Sequence, residues 1–416
     1  MAAPVRRQAH VAVAAVWLGA CVAVFARHGG QSWHFVATGA RSLFCLQYPR
    51  GIQPCGLHVY AWHPDVQIGP LSLVAAAPAV LLRRADGFDL ARLGMACAGL
   101  AVLVLVERGA PAAGSGRSAD RSRLRVRFLL AALAFFPAWA DLAVGFGHLD
   151  DVLALTCTAA AVHAVTRGRP GAAGWLLAMA TLSKPWALAF LPVIGGLPAG
   201  SRRPALTRAV VPVVAAALPF LLADRGTLRA AAFRIPNAAS SSLRLLGVTD
   251  ATPWWDRPAQ LAIGLLLGVL AVRRGRWRAA VMIAAATRIA LDPQVYSYYT
   301  ASVLVGTLIW DLQVRPGRRV PVWTWAVCGA LFASRYLPLG PTTLAVLRLA
   351  ICATIIGCAL LAPGLLARIT SPLRRLVARV APRERPQPAP AAGERAAMAA
   401  VARPSPDRSL VVDHDP

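Results

Sequence analysis

The sequence predicts an all-α, polytopic membrane protein: a transmembrane helical bundle of about twelve spans, with juxtamembrane helices in its first external loop. Hydrophobic residues make up 57% of the 416 residues and charged residues 15%, against about 25% charged residues in soluble domains. The mean hydropathy of the chain is +0.55. Apolar stretches recur along the chain and short arginine clusters separate them, which indicates many membrane crossings rather than a soluble enzyme with one anchor.

The strong positive charge of the chain indicates membrane topology rather than nucleic-acid binding. The formal net charge is +26, and Lys184 is the only lysine, so arginine carries almost all of it. The arginines fall in short clusters between apolar stretches, as the positive-inside rule expects for cytoplasmic loops. We therefore predict a multi-pass protein of the cell membrane that contacts membrane lipids and has no nucleic-acid partner.

The first span is predicted at residues 10–26. Arg6 and Arg7 precede it, which places the N-terminus in the cytoplasm. The same stretch could instead be a signal peptide. No clear small-x-small cleavage site ends it, however, and Trp33 and further apolar segments follow, so we interpret it as a span.

The first external loop, residues 27–90, is the longest polar-to-amphipathic region before the C-terminal tail. Within it, residues 32–46 place apolar and aromatic side chains at helical spacing, which is typical of a helix lying on the membrane surface. Cys45 and Cys55 flank a turn rich in proline and glycine and would form a disulfide if the loop faces an oxidising compartment. The other six cysteines lie in or beside apolar stretches and are expected to be small core residues.

The apolar stretch 66–82 is predicted to be a juxtamembrane or re-entrant helix rather than a span. Residues 108–127 carry six arginines and should be cytoplasmic. They would lie outside if both 66–82 and 91–106 crossed the membrane. The stretch 66–82 is about 17 residues long, near the lower limit for a span, and it contains Pro70 and Pro78.

From residue 128 onward, apolar stretches and arginine clusters alternate regularly, which places both termini in the cytoplasm. A second long external loop covers residues 224–258, and residues 1–366 form one transmembrane domain. Residues 367–416 are basic and then rich in proline and alanine, so we predict a disordered cytoplasmic tail. The predicted spans cover residues 10–26, 91–106, 128–144, 152–166, 172–183, 186–197, 209–223, 259–272, 279–291, 295–312, 321–333 and 341–366.

Residues 147–151, Gly-His-Leu-Asp-Asp, place two carboxylates and an imidazole between two predicted spans. Ionisable residues at the end of a transmembrane helix are costly and favour a functional site, although a solvated turn is the simpler alternative. The predicted topology also gathers other chemically useful side chains on this external face, opposite the arginine-rich turns. The external face holds His63, Asp65, His148, Asp150, Asp151, Lys184, Asp292 and Tyr296.

Four features resemble a known family in their order along the chain and in the side of the membrane on which they are predicted to lie. They are the long external loop with its juxtamembrane helix, the acidic motif 148–151, the Lys184-Pro185 break two spans later, and the second external loop with residues 237–244. Over residues 10–360 the chain resembles polyprenol-phosphate-sugar-dependent glycosyltransferases of the GT-C superfamily, especially bacterial mannosyltransferase-like members. The resemblance implies a hexosyltransferase that moves a sugar from a polyprenyl-phosphate donor to a lipid or cell-envelope glycan acceptor on the extracytoplasmic face.

The sequence departs from this family at one place. Members usually carry a catalytic Asp or Glu soon after the first span, whereas residues 31–34 are Gln-Ser-Trp-His. Asp65, or the pair Asp150 and Asp151, would then supply the catalytic base, unless this member is inactive. Successive helical residues point about 100° apart, so both members of the pair cannot face one site equally. We favour Asp150.

Sugar transfer from a lipid phosphate needs a carboxylate base and cations that bind the departing phosphate. Lys184 is the leading phosphate contact, with interfacial snorkelling as its alternative. Arg288 is either a second phosphate ligand or half of an ion pair with Asp292. Arg244 is a further candidate, although arginines of the second loop also suit lipid head groups. Tyr296 is a candidate for the substrate site, and an aromatic belt at the interface is its alternative.

His63 and His148 are candidates for pairing with the acids in substrate binding. With Asp65, Asp150 and Asp151 they could instead ligate a divalent metal. Their spacing gives no closed ligand set, so we predict no metal and no cofactor.

Two other classes of function stay open at this point. A transporter or flippase would place charges near the midplane and carry an inverted repeat with paired broken helices. The sequence contains one Lys-Pro break and gathers its polar residues at one face, which favours an enzyme. A non-catalytic scaffold for cell-envelope assembly would need none of the candidate residues.

Overall fold

Five helices in the described part of the chain are long and apolar enough to cross a membrane. The computed structural model describes residues 9–46, 55–110, 118–314 and 320–361. Regular structure in these residues is helical, with no strand and one isolated bridge between Pro236 and Ala251. An all-α protein of membrane type is therefore confirmed, whereas the predicted count of spans is not. The five helices are Arg84–Arg108, Ser122–Phe146, Leu149–Thr166, Ala199–Ala223 and Pro341–Leu360.

The first half of the described chain is a series of helices that begins with the predicted first span. A π-helical segment, Asp141–Phe146, continues the sixth helix without a break. Predicted span 10–26 agrees with the first helix to within one residue at each end. The helices are α1 (Ala9–Phe25), α2 (Trp33–Leu43), α3 (Val59–Trp62), α4 (Pro70–Val80), α5 (Arg84–Arg108), α6 (Ser118–Ala140), α7 (Leu149–Thr166) and α8 (Pro170–Ser183).

The second half begins with a 3₁₀-helical run, Pro185–Gly196, called here the Pro185 segment. The arginine cluster at 315–319 and the predicted tail 367–416 lie outside the described residues. The remaining helices are α9 (Ala199–Ala223), α10 (Leu228–Ala231), α11 (Ser242–Leu245), α12 (Asp256–Arg273), α13 (Ala280–Leu291), α14 (Thr300–Gln313), α15 (Val322–Val327) and α16 (Pro341–Leu360).

The first loop folds into a small cap with its own hydrophobic cluster. Val36 of α2, Tyr60 of α3 and Leu73 of α4 are buried together in it, and Phe220 of α9 joins them. A disulfide between Cys45 and Cys55 closes the loop that follows α2. The 11 residues of α4 extend about 16 Å, about half the thickness of a bilayer core. The length of α4 agrees with the prediction that 66–82 does not span.

Small residues let neighbouring helices approach closely, as is usual in membrane bundles. A Cβ atom added at Gly174 of α8 would overlap the carbonyl oxygen of Ala205 on α9. One added at Gly306 of α14 would overlap the backbone of Met282 on α13. These close contacts set the distance between α8 and α9 and between α13 and α14.

The chain breaks at Lys184, as the Lys-Pro pair predicts. Helix α8 ends at Ser183, and Lys184 is extended, with φ −145° and ψ 114°. Pro185 disfavours helical backbone at the residue before it and supplies no N–H for the next turn. The freed carbonyl oxygen of Ser183 accepts hydrogen bonds from the Gly69 N–H (3.0 Å) and the Ser72 hydroxyl (3.2 Å). The first loop is thereby tied to the break.

Polar contacts collect at the two ends of the bundle. At one end, His10 Nε2 on α1 lies 3.1 Å from Glu107 Oε1 on α5, and Arg127 of α6 donates to the carbonyl oxygen of Asp311 on α14. Because α6 and α13 run from this end to the other, their C-terminal residues lie at the opposite end. That opposite end holds Asp141, His148, Asp150, Asp151, Lys184, Arg288 and Asp292.

Candidate functional site

Two adjacent carboxylates in the first turn of α7 each hold a cation. Lys184 Nζ donates to Asp150 Oδ2, and it also lies 3.7 Å from Asp151 Oδ2. Arg288 Nη1 lies 3.5 Å from Asp151 Oδ1. Asp150 is completely buried and Asp151 is 3% exposed, so these charges are compensated by one another rather than by water. Lys184 lies near both carboxylates, whereas Arg288 contacts Asp151 alone of the two.

His148 connects the carboxylates to the first loop. Its Nδ1 lies 3.2 Å from Asp150 Oδ1 and 3.5 Å from Asp151 Oδ2, while Nε2 lies 2.6 Å from the Ser32 hydroxyl oxygen. With a proton on Nδ1, the imidazole donates to Asp150 and accepts from Ser32. The ring also lies 4.0 Å, centroid to centroid, from Tyr298. These contacts fix the orientation of the imidazole.

Arg288 is held on all sides. Its Nε lies 3.7 Å from Asp292 Oδ2, one turn further along the chain. The guanidinium carbon lies 4.2 Å from the ring centroid of Trp186 and 4.6 Å from that of Tyr299, at cation–π distance. Trp186 Nε1 in turn donates to Asp151 Oδ1 at 3.1 Å. The arginine is therefore preorganised.

A cavity of about 750 Å³ lies beside this network, within the size range of small-molecule sites. Lys184 and Arg288 line it, and Arg257 at the start of α12 supplies a third cation. Gln67, from the first loop, accepts a 2.7 Å hydrogen bond from Arg257 Nη2 through its Oε1. Three positively charged side chains from three parts of the chain thus converge on one cavity.

Two further carboxylates, Asp256 and Asp292, also line the cavity. Asp256 Oδ2 accepts a 2.9 Å hydrogen bond from Gln260 Nε2, whereas its Oδ1 has no hydrogen-bond partner among the described residues. Asp256 precedes the predicted span 259–272. Burial, and then the neighbouring charge of Asp292, raise the pKa of Asp256 to about 7.

The rest of the cavity wall is largely apolar. Phe220 and Leu221, at the end of α9, line it together with Leu228 and with Leu261 of α12. The next residue of α9, Leu222, is 77% exposed. The cavity wall therefore includes the C-terminal end of α9, a candidate span.

The structure brings some of the sequence-predicted site residues together and leaves others apart. Asp65 is exposed and His63 is half-buried, and neither lines the cavity. Arg244 is exposed, and its guanidinium donates to backbone carbonyl oxygens of its own loop. Tyr296 is 42% exposed and stacks on Tyr298. Their assigned roles stay predictions. The residues that meet are His148, Asp150, Asp151, Lys184 and Arg288.

The arrangement at His148, Asp150 and Asp151 fits a divalent metal poorly. One ligand atom from each lies within 4.8 Å of the others. Lys184 and Arg288, however, already neutralise both carboxylates. A divalent cation at this position would lie beside a buried ammonium group and compete with it for the same oxygen atoms.

Sequence reasoning missed Asp256, Arg257 and Gln67. Asp256 and Arg257 directly precede Pro258, which opens a predicted span at its external end. The same sidedness argument that selected Lys184 could therefore have found them. Gln67 gave no such signal, because a glutamine beside a proline-rich turn is ordinary loop composition.

No family model matches this chain, and no curated protein matches it. A fold of membrane helices hosts many activities, so fold class alone does not define a function. The chemistry of the cavity and of the network beside it is therefore the basis for a functional assignment.

Proposed function

We propose that the protein is an integral membrane glycosyltransferase that moves a sugar from a polyprenyl-phosphate donor to a lipid or glycan acceptor at the extracytoplasmic face of the cell membrane. One observation carries the proposal. Lys184, Arg257 and Arg288 converge on one cavity whose remaining wall is largely apolar and includes the end of α9, a candidate span. A ligand with a phosphate head and a hydrocarbon chain has matching chemistry at both ends.

The three cations suit the change of charge during sugar transfer. The phosphodiester of the donor carries one negative charge, and the phosphate monoester that leaves carries more. An ammonium group acts as a point charge, and a guanidinium donates as a planar fork. Because Asp150, Asp151 and Gln67 hold the cations before substrate arrives, they need little reorganisation as charge develops on the leaving group.

Sidedness supports an extracytoplasmic reaction. Disulfides persist in oxidising compartments, and Cys45 and Cys55 are joined in the first loop. That loop supplies Tyr60, Gln67 and Pro70 to the cavity wall. The cavity therefore belongs with the face of the membrane on which the disulfide forms.

The other two classes fit the site less well. A transporter of the inverted-repeat type would carry a second broken helix to match the break at Lys184, whereas the sequence has one Lys-Pro pair. A scaffold gains nothing from burying cations around an internal cavity, since buried charges cost stability unless paired.

The first experiment measures transfer from a panel of radiolabelled polyprenyl-phosphate sugars to the lipid fraction of vesicles that contain the purified protein. Lys184→Met should lower transfer at least about 100-fold, because one cation that opposes the leaving charge is lost. Arg203→Met is the control, since Arg203 is exposed at the start of α9, away from the cavity. Absence of transfer by the native protein with every donor, or equal transfer by both variants, would refute the proposal.

A further inference from the structure

We propose that Asp256 is the group that accepts the proton of the attacking acceptor hydroxyl. This inference rests on the proposed function and deepens it, because it names the base and the part of the cavity where the acceptor binds. Asp256 and its neighbour Arg257 belong to the predicted second external loop, and both line the cavity. The sequence itself pointed to Asp65 and Asp150 for this role.

One carboxylate oxygen of Asp256 is free to accept a hydrogen bond from a ligand. Asp256 is completely buried, and one carboxylate oxygen, Oδ1, bonds to no described group. A buried acceptor without a partner costs free energy, so native proteins rarely keep one without a purpose. Gln67, whose amide oxygen accepts from Arg257, also has an Nε2 without a partner among the described residues. Asp256 and Gln67 both line the cavity, so its wall offers an acceptor hydroxyl a carboxylate oxygen and an amide donor.

The other acids either have partners or lie outside the cavity wall. Asp150 holds Lys184 and His148 and does not line the cavity. Asp151 Oδ2 has no hydrogen-bond partner among the described residues, but it lies 3.5 Å from His148 Nδ1 and 3.7 Å from Lys184 Nζ, and Asp151 does not line the cavity. Asp292 lines the cavity, but its Oδ1 accepts from the Gln294 N–H at 2.9 Å and its Oδ2 faces Arg288. Asp65 is exposed outside the cavity.

The surroundings of Asp256 suit a base that works near neutral pH. Burial and the charge of Asp292 raise its pKa to about 7, against the opposing influence of Gln260 and Arg257. A general base is most effective when its pKa lies near the working pH. The other charged groups on elements packed against the start of α12 are Arg288 on α13, Arg348 on α16 and Lys184 before the Pro185 segment.

The step balances as a single displacement. The acceptor oxygen forms a bond to the anomeric carbon of the sugar while its proton passes to Asp256 Oδ1. The bond between the anomeric carbon and the phosphate oxygen breaks, and its electron pair stays on that oxygen. The polyprenyl phosphate leaves with one more negative charge, beside Lys184, Arg257 and Arg288.

The test compares Asp256→Asn with Asp250→Asn in the vesicle assay. Asp250 lies in the same loop, is exposed and is absent from the cavity wall, so it is a matched control. Asp256→Asn should lower kcat at least about 100-fold. Binding of polyprenyl phosphate, measured by competition with the donor, should be unchanged in Asp256→Asn, and this binding also shows that the variant is folded.

The pH dependence gives a second readout. In the native protein kcat/KM should rise with pH through about 7, because the base acts when deprotonated, and the residual activity of Asp256→Asn should lose that rise.

The outcomes separate this inference from the function on which it rests. Transfer by the native protein that survives Asp256→Asn within about tenfold would overturn the assignment and leave the glycosyltransferase proposal standing. Loss of both transfer and polyprenyl phosphate binding would also overturn it, because Asp256 would then be structural. No transfer by the native protein with any donor would overturn both.

Discussion

Asp150 and Lys184 carry opposite charges into a region with little water. The side chain of Asp150 is fully buried, and that of Lys184 is 14% exposed. Each charge is costly alone, and their attraction, with help from His148, offsets the loss of hydration. Removing one partner leaves an uncompensated charge in the interior, whereas removing both leaves none.

Asp150→Asn and Lys184→Met should therefore each lower the free energy of unfolding by about 3–5 kcal/mol. The double variant should recover at least about half of the combined loss, because the two effects share one interaction. The midpoint of thermal unfolding in detergent measures each change. Asp89→Asn is the control, since Asp89 pairs with Arg92 at the surface and such pairs contribute at most about 1 kcal/mol. Additive losses in the double variant would contradict the coupling.

At the scale of residues, the sequence singled out Lys184, Arg288 and Asp292, which line the cavity. It missed Arg257 and Asp256, which line it as well. Lys184 and Arg288 could be singled out because a charged side chain in or beside a membrane span is costly and therefore indicates a function. Lys184 pairs with Asp150, and Arg288 pairs with Asp151. Which carboxylate reaches the cavity depended on loop conformation instead. Asp65 is exposed whereas Asp256 is buried, and neither loop follows a regular period that would have revealed this.

At the scale of elements, the contact between the first loop and the break after α8 positions Lys184. Gly69 fits against Leu182 and Ser183 so closely that a Cβ atom would overlap the Leu182 carbonyl oxygen. Its φ is −67°, an ordinary value for any residue. Space, rather than backbone conformation, therefore requires glycine there.

Gly69→Ala should push the loop away from the break and lower kcat/KM about tenfold or more, because Gln67 and Lys184 lose their relative placement. A loss of about 1–3 kcal/mol in stability should accompany it, as for other overpacked sites. The vesicle assay and thermal unfolding measure the two effects. Gly29→Ala is the control, since a Cβ at Gly29 meets open space. Equal activity of the two variants would contradict a positioning role for the contact.

Helix boundaries set by proline or by long apolar runs were predictable. The break at Lys184-Pro185 and the end of α13 at Leu291 lie where proline and polar residues placed them. The Pro185 segment is different, because a 3₁₀ run of 12 residues has no sequence period that separates it from a short α-helix. Its geometry follows from packing against α8 and α12.

At the scale of the whole molecule, two polar ends define a direction across the membrane. The disulfide and the cavity lie at one end, and the contact between His10 and Glu107 lies at the other. We propose that the first end is extracytoplasmic and that both termini are cytoplasmic.

A membrane-impermeant maleimide applied to intact cells should label Cys45 and Cys55 only after a reductant has opened their disulfide, because both belong to the end that we propose to be extracytoplasmic. Labelling is read as a mass increase of the purified protein. The variant with Cys45→Ser and Cys55→Ser is the control and should stay unlabelled, since the remaining described cysteines lie on membrane helices. Labelling that requires permeabilised cells would reverse the proposed sidedness.

The single lysine of the chain lies in the wall of its cavity. Amine-directed reagents, which ignore guanidinium groups, therefore have one side-chain target in 416 residues. An acyl group on this side chain would report the cavity, and a bound ligand would shield that position. An α-amino group at the chain terminus reacts as well, so the mass difference between the native protein and Lys184→Met after acylation becomes the readout of occupancy.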